Sequence, residues 1–150
     1  MRGSNNEPLV IVDADAIISF VAVEDENHIR AKAIMQKLAD VQGYLLFPTT
    51  AICEATTVLR GKLNRPDNAS RIIDKLTNGD FPIQVVDEDI IFDAAKLYKP
   101  LASKKNTLFD AVVASIAKRL KADAIFSFDQ WYRKIGLVLT DDLVLREKAA

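Results

Sequence analysis

Apolar residues along this chain fall into two kinds of run that alternate with each other. Continuous runs of apolar residues, as at 9–12 and 44–47, are typical of strands buried on both faces of a sheet. Stretches in which apolar residues recur every three or four positions, as at 27–40, indicate helices. The pattern predicts strands at 9–12, 44–47, 82–86, 124–126 and 137–139, and helices at 16–22, 27–40, 51–62, 67–77, 88–98 and 108–120.

The alternation of strands and helices predicts the fold class. It favours a three-layer α/β/α arrangement, in which helices cover both faces of a central, mostly parallel sheet of four or five strands. The 150 residues, 49% of them hydrophobic, are enough for one substantial core but too few for two. We therefore expect one domain over residues 7–150, preceded at 1–6 by a tag-like or disordered leader that begins Met-Arg-Gly-Ser.

Charge and cysteine content narrow the classes of protein that fit. Lys and Arg number 20 against 21 Asp and Glu, so any polyanion must bind to a local patch and not to a strongly basic surface. The single cysteine, Cys53, cannot form an internal disulfide, and with no secretory leader in view it favours a cytoplasmic protein. No apolar run approaches the roughly 18 residues that span a bilayer, so no membrane partner is expected.

Four acidic residues stand just after predicted strands or in the first turns of predicted helices. Asp13 and Asp129 follow the first and fourth strands, whereas Glu54 and Asp110 fall early in helices. Open parallel sheets bind ligands beyond the carboxyl ends of their strands, and helices that begin at that edge bring their first turns to the same place. We therefore expect the four carboxylates to converge at one edge of the sheet.

Such a cluster would have a specific chemical consequence. Ionised carboxylates that lie close together raise one another's pKa unless a divalent cation holds them deprotonated. Ligands that are all oxygen, with no His or Cys nearby, favour Mg²⁺ or Mn²⁺ over Zn²⁺. Each acid alone has a structural alternative, because Asp is a common helix cap and a lone Glu can face solvent. For Asp110 this alternative is weaker, because a charge within its apolar segment is costly without a partner. The four acids taken together favour a metal site.

Four segments, taken in order, contain these acids: Val12-Asp13-Ala14-Asp15-Ala16-Ile17-Ile18, Phe47-Pro48-Thr49-Thr50-Ala51-Ile52-Cys53-Glu54, Leu108-Phe109-Asp110-Ala111-Val112-Val113-Ala114-Ser115-Ile116-Ala117 and Ile125-Phe126-Ser127-Phe128-Asp129. They resemble the motifs of the PIN-domain nucleases and are similar to those of VapC-type toxin ribonucleases. The resemblance runs from Val10 to Val138. Two positions depart from it: Asp15 stands where many relatives have Ser, Asn or Thr, and Phe128 where Asn is frequent.

The resemblance implies metal-dependent cleavage of phosphodiester bonds, most often in RNA. It assigns Asp13, Asp110 and Asp129 to one or two Mg²⁺ or Mn²⁺ ions that activate a water for in-line attack. Glu54 would be a further ligand or the group that takes the proton of the attacking water. Family members of this size are frequently toxins inhibited by a small antitoxin protein, and they frequently form homodimers; the sequence itself shows neither property.

Further residues complete the expected site. Asp15 is expected to have an outer role at the metal, and Ser127 to hydrogen-bond an acid or a phosphate oxygen. Because the acids repel RNA, cations at the rim must hold its backbone. The candidates for RNA binding are Lys104, Lys105, Arg60, Lys62 and Arg65. Three other features are assigned no chemistry: His28 as a solvated residue, Trp131-Tyr132 as an apolar lid over the last strand, and Cys53 as buried filler.

Two other classes of protein remain open. The opening segment also fits a haloacid-dehalogenase-like phosphatase, with Asp13 as the nucleophile and Asp15 as the acid and base. Its phosphate and metal ligands would be Ser127, Lys134, Asp141 and Asp142. That assignment leaves Glu54 and Asp110 unexplained, and the chain from Lys134 to Asp141 is too short for the usual intervening helix. The third class is a catalytically silent domain that only binds RNA or a partner protein. The full set of acids argues against this alternative.

Overall fold

Four strands and seven α-helices alternate along the part of the chain that the computed structural model describes, residues 7–101 and 105–143. The strands are β1 (Leu9–Val12), β2 (Tyr44–Pro48), β3 (Ile83–Gln84) and β4 (Ala124–Phe126). The helices are α1 (Ala14–Val21), α2 (His28–Asp40), α3 (Thr49–Arg60), α4 (Pro66–Thr77), α5 (Glu88–Leu101), α6 (Leu108–Arg119) and α7 (Trp131–Lys134), followed by a 3₁₀ turn at Thr140–Asp142. The predicted leader at 1–6 and the last residues, 144–150, lie outside the described residues.

The strands form one sheet in the order β3-β2-β1-β4, and every neighbouring pair is parallel. Strand β3 is shorter than predicted: it pairs only with Phe47 and Pro48, and a proline has no N–H with which to extend the ladder. The predicted strand at 137–139 provides one isolated bridge, between Leu139 and Ile125. It is limited by Gly136, which has a positive φ of 83°, and by the 3₁₀ turn that begins at Thr140.

Two hydrophobic cores lie on opposite faces of the sheet, because alternate residues of a strand point to opposite sides. Val10, Val12 and Phe126 pack with α1, α2, α3 and α4 on one face. Ile11 and Ile125 pack with α5, α6 and α7 on the other. The predicted three-layer α/β/α fold with a parallel sheet is therefore confirmed.

Several helices begin at the carboxyl edge of the sheet. Strand β1 leads through Asp13 directly into α1, and β2 leads directly into α3. The backbone N–H of Asp13 donates to the carbonyl of Phe126 at 3.0 Å, so the end of β1 is held beside the end of β4. Helix α6 runs back toward the start of β4 and therefore begins near the same edge. Helix starts and strand ends thus meet in one place.

Two further observations bear on the predictions: the exposure of Cys53 and the length and apolar character of the helices. Cys53 is exposed and not buried as predicted, because it lies on the face of α3 opposite to the buried residues Ile52, Ala55 and Leu59. Among residues 7–101 and 105–143, no helix has the length and apolar character needed to cross a membrane.

Candidate active site

Five carboxylates lie at the carboxyl edge of the sheet. Asp13 follows β1, Asp15 is in the first turn of α1, Glu54 is in α3, Asp110 is in the first turn of α6, and Asp129 follows β4. Their charges act on one another: Asp15 and Asp110 raise the pKa of both Asp13 and Glu54, and Asp129 raises the pKa of both Asp15 and Asp110. The structure therefore brings the four predicted acids together and adds Asp15 to them.

Asp13 is the most deeply buried of these acids, with 4% of its surface exposed. Its Oδ1 accepts a hydrogen bond from the N–H of Ala14 at 2.7 Å, and its Oδ2 accepts one from the hydroxyl of Tyr132 at 2.8 Å. Burial, followed by the charges of Asp15 and Asp110, raises the pKa of Asp13 well above its ordinary value. Asp13 is thus both the cap of α1 and a member of the acidic cluster.

Asp15 and Ser127 join α1 to the end of β4. The Ser127 hydroxyl donates to Asp15 Oδ2 at 3.0 Å and accepts from the N–H of Asp129 at 3.1 Å. The N–H of Phe128 also donates to Asp15 Oδ2, at 2.8 Å. The other oxygen, Asp15 Oδ1, is buried and has no hydrogen bond of ordinary geometry. Burial raises the pKa of Asp15 to about 6. The N–H of Ala16 also acts on this carboxylate and lowers its pKa, and Oδ1 is the oxygen with capacity left to accept a proton or a cation.

Glu54 approaches the same cluster from α3 and is half-buried. Burial, followed by the charges of Asp110 and Asp15, raises the pKa of Glu54 to about 7. A carboxyl group with that pKa exchanges protons near neutral pH, as a general base or acid must. This pKa is compatible with the proton-accepting alternative of the two roles expected for Glu54, which stays a prediction.

Asp110 and Asp129 are joined by Asn106. The Nδ2 group of Asn106 donates to Asp129 Oδ2 at 2.9 Å and to Asp110 Oδ2 at 3.3 Å. Asp110 Oδ2 also accepts from the N–H of Thr107 at 2.9 Å, and Asp129 Oδ1 accepts from the N–H of Trp131 at 2.9 Å. Burial raises the pKa of Asp110. Both acids therefore hold a local turn of the chain as well as belonging to the cluster.

Tyr132 is a site residue that the sequence analysis missed. It was predicted to form part of an apolar lid, and its ring is fully buried, but its hydroxyl contacts Asp13. Burial and the charges of Asp13 and Asp110 raise the pKa of Tyr132 well above its ordinary value, so the hydroxyl remains a donor. The sequence carries a signal for the ring, which continues the apolar segment after β4, but none for its partner 119 residues away.

The phenol of Tyr132 gives a direct test of this arrangement. Tyr132→Phe keeps the ring and leaves a buried oxygen of Asp13 without its donor, which typically costs about 1–3 kcal/mol. We expect the free energy of unfolding at about pH 7.5 to fall by that amount in urea denaturation. Tyr44→Phe, at an exposed tyrosine of β2, is the matched control and should change little. Equal stability of the two variants would mean that the hydroxyl does not stabilise Asp13.

The donor set can be compared with the needs of a divalent cation. All five groups are carboxylates, and burial together with neighbouring charges raises the pKa values of four of them, Asp13, Asp15, Glu54 and Asp110. Asp15 Oδ1 is buried without a hydrogen bond of ordinary geometry. Hard cations such as Mg²⁺ and Mn²⁺ prefer such ligands, so the residues fit these ions in their chemistry. Within the described part of the chain, however, no three carboxylate, His or Cys side chains already form a group that could hold a metal ion. Binding a cation therefore requires these side chains to move toward it.

The predicted RNA-binding cations are not all near the acids. Lys105 is exposed and directly precedes Asn106, at the rim of the cluster. Arg60 lies six residues, or about 9 Å, farther along α3 than Glu54, and Lys62 follows it beyond the end of the helix. Arg65 forms an ion pair with Glu24 at 2.9 Å. Lys104 lies outside the described residues.

Arg30, which was not predicted, is a cation beside the cluster. Its guanidinium lies 4.9 Å from the centre of the Phe128 ring and forms an ion pair with Asp141. Asp142 pairs with Arg133 at 2.5 and 2.9 Å. Asp141 and Asp142 are thus engaged with arginines, which does not favour the phosphatase assignment that placed them on a metal.

These observations define a class of protein: an α/β/α domain with a parallel sheet and a cluster of buried and half-buried carboxylates at the carboxyl edge of that sheet. The chain belongs to the PIN-domain family: the family model described as PIN domain matches residues 10–137. The resemblance of the four motifs is therefore confirmed. No curated protein matches the chain.

Solved structures share this fold. The chain is similar to VapC20 of Mycobacterium tuberculosis, described as a Sarcin-Ricin loop cleaving toxin, with a TM-score of 0.76 and 14% identity over 86% of this chain and 96% of that one. It is also similar to VapBC2 from Rickettsia felis, which was solved bound to a DNA fragment from its promoter. That comparison has a TM-score of 0.57 and 12% identity over 87% of this chain and 96% of that one. At these identities the comparisons concern the fold alone.

Proposed function

We propose that this protein is a metal-dependent endoribonuclease that hydrolyses phosphodiester bonds of RNA with a water activated at the acidic cluster. The observation that carries the proposal is the convergence of five carboxylates at one edge of the sheet, where burial and neighbouring charges raise the pKa values of Asp13, Asp15, Glu54 and Asp110. Such an arrangement is costly to the fold and is typical of functional sites. Membership of the PIN-domain family supports the same class of activity.

We assign the following roles in the reaction. Asp13, Asp110 and Asp129 would hold Mg²⁺ or Mn²⁺, which supplies the positive charge that activates water and neutralises the scissile phosphate. Glu54, whose pKa is about 7, takes the proton of the attacking water at neutral pH. Asp15 adds negative charge, and one of its oxygens has no hydrogen bond of ordinary geometry.

Ser127 holds this arrangement in place. Its hydroxyl donates to Asp15 and accepts from the N–H of Asp129, so it fixes the loop after β4 relative to α1. Lys105 at the rim would bind the RNA backbone together with Lys104, while Arg60 and Lys62 would contact the RNA farther along α3. Such contacts would be electrostatic and should weaken as the salt concentration rises.

The proposal extends to the biological setting. VapC20 is described as a toxin that cleaves the Sarcin-Ricin loop, which supports RNA as the substrate of a chain with the same fold. VapBC2 supports a pairing of such a chain with an antitoxin. We therefore propose a cytoplasmic toxin in which residues 7–150 form one domain, inhibited by a small antitoxin protein and able to form a homodimer.

A closed circular RNA tests this function, because only an endonuclease can convert it to a linear product. We expect the wild-type protein to open a labelled RNA circle in the presence of Mn²⁺ or Mg²⁺ and to leave it intact in EDTA. Opening of the circle in EDTA would contradict metal dependence. Turnover of p-nitrophenyl phosphate that survives Asp110→Asn but is lost in Asp13→Asn would instead support the phosphatase, in which Asp13 is the nucleophile.

A further inference from the structure

Asn106 is a buried polar residue between exposed neighbours. Only 7% of its surface is accessible, whereas Lys105 before it and Thr107 after it are exposed. The chain therefore turns this one side chain inward just before α6 begins. A buried amide needs hydrogen-bond partners, and this one finds them in the acidic cluster.

The amide of Asn106 contacts two acids that come from different elements. Its Nδ2 group lies 2.9 Å from Asp129 Oδ2, in the loop after β4, and 3.3 Å from Asp110 Oδ2, in the first turn of α6. An NH₂ group has two N–H bonds, so it can donate one to each carboxylate. The carbonyl oxygen in that place would be repelled by both acids, which fixes the orientation of the amide.

A neutral amide suits this position better than the other donors would. Lys or Arg would also join the two carboxylates, but its charge would cancel the attraction of the cluster for a cation. Ser has only one hydrogen to donate, and an acid would add to the repulsion. Asn therefore holds two like charges close together without neutralising either of them.

We propose that Asn106 is a positioning residue, which holds Asp110 and Asp129 in the orientation that a bound cation and the substrate require. It acts through these two acids. The inference rests on the proposed function, because it concerns the site that would bind Mg²⁺ or Mn²⁺.

The test is the affinity of Asn106→Ala for Mn²⁺ alone, measured from the electron paramagnetic resonance signal of the free ion. Partners that hydrogen-bond metal ligands typically contribute about 10- to 100-fold to metal affinity, and we expect a loss in that range. In RNA cleavage, the variant should lower kcat while KM for RNA changes by less than about twofold. Thermal unfolding of the cation-free protein, measured in parallel, separates these effects from a general loss of stability.

Asn68→Ala is the matched control. Asn68 in α4 is similarly buried, at 8% exposed, and its Nδ2 group donates to Glu24 Oε1 at 3.1 Å. The Asn68→Ala variant loses the same kind of hydrogen bond, but at a place away from the acidic cluster. Its Mn²⁺ affinity should therefore equal that of the wild type. A lower Mn²⁺ affinity in Asn106→Ala than in Asn68→Ala would support the inference.

The outcomes separate the inference from the proposed function. Wild-type Mn²⁺ affinity in Asn106→Ala would overturn the positioning role alone. Absence of Mn²⁺ binding in the wild type would overturn the proposed function, and the inference with it. If Asn106→Ala does not fold, Asn106→Ser retains one donor and should show an intermediate loss of Mn²⁺ affinity, whereas an unchanged affinity would overturn the positioning role.

Discussion

Replacing Asp110 with Asn is expected to reduce RNA cleavage by about 100- to 1,000-fold, the loss typical when one electrostatic contributor is removed from an active site. Asn has the shape of Asp, and its carbonyl oxygen can still accept from the N–H of Thr107, as Asp110 Oδ2 does at 2.9 Å. Because burial raises the pKa of Asp110, the ionised form is unfavourable in the cation-free fold, and a neutral amide should not destabilise it. Cleavage rates and thermal unfolding of the same preparation check both expectations.

Asp87→Asn is the control for this experiment. Asp87 likewise caps a helix: it stands just before α5, its Oδ1 accepts from the N–H of Ile90 at 3.0 Å, and its charge acts on Arg119. The chemical change is identical, and cleavage should stay within about twofold of the wild type because no charge is lost at the acidic cluster. A similar loss in both variants would mean that capping matters and the cluster does not. Full activity of Asp110→Asn would leave Asp110 as a helix cap only.

The fold was predictable because its sheet is buried on both faces. Residues such as Val10 and Ile11 contact different cores, so the strand requires a continuous apolar run, and such a run is visible in the sequence. The edge of the sheet was less predictable. The β-propensity of Val85 favours the predicted strand at 82–86, but Val85 is exposed and lies beyond the end of β3. The length of β3 depends instead on its pairing with Pro48. β-Propensity is a property of the residue alone, whereas the length of a strand also depends on the neighbouring strand with which it pairs.

The acids could be located from the sequence because a strand end and a helix start fix where a side chain lies. Their partners could not. The bond from Tyr132 to Asp13 joins residues 119 apart, and that from Asn106 to Asp129 joins residues 23 apart. Both contacts join different parts of the fold, so the periodicity of a single helix or strand does not predict either of them. Asp15 was expected in an outer role, and its position in the cluster depends on the loop after β4, whose N–H at Phe128 donates to it.

In the absence of divalent cations, the protein is expected to become less stable as the pH rises from about 5 to about 7.5. The pKa of Asp15 is raised from 3.8 to about 6, and that of Glu54 from 4.5 to about 7. In this window the native state binds more protons than the unfolded chain, so the free energy of unfolding falls as the pH rises. For Asp15 the whole shift corresponds to roughly 3 kcal/mol, of which about half is lost within this pH window and the rest below it.

Glu54→Gln isolates one of these groups. The variant cannot ionise at position 54, so in EDTA its melting temperature should depend less on pH than that of the wild type. At about pH 7.5 it should also be the more stable protein, because it lacks a charge that is disfavoured by burial and repelled by Asp110 and Asp15. A wild-type melting temperature that rises between these pH values in EDTA would contradict the repulsion within the cluster.

Adding Mg²⁺ or Mn²⁺ should reverse the loss, and by more at about pH 7.5 than at about pH 5, because protons compete with the cation for the same carboxylates. A ligand at 100 times its Kd stabilises the native state by about 2.7 kcal/mol. For a protein of this size that corresponds to a rise in Tm of roughly 5–10 °C. The rise should be smaller in Asp110→Asn, which retains the fold but lacks one charged ligand. An equal rise at both pH values, or in both proteins, would place the bound cation away from the acidic cluster.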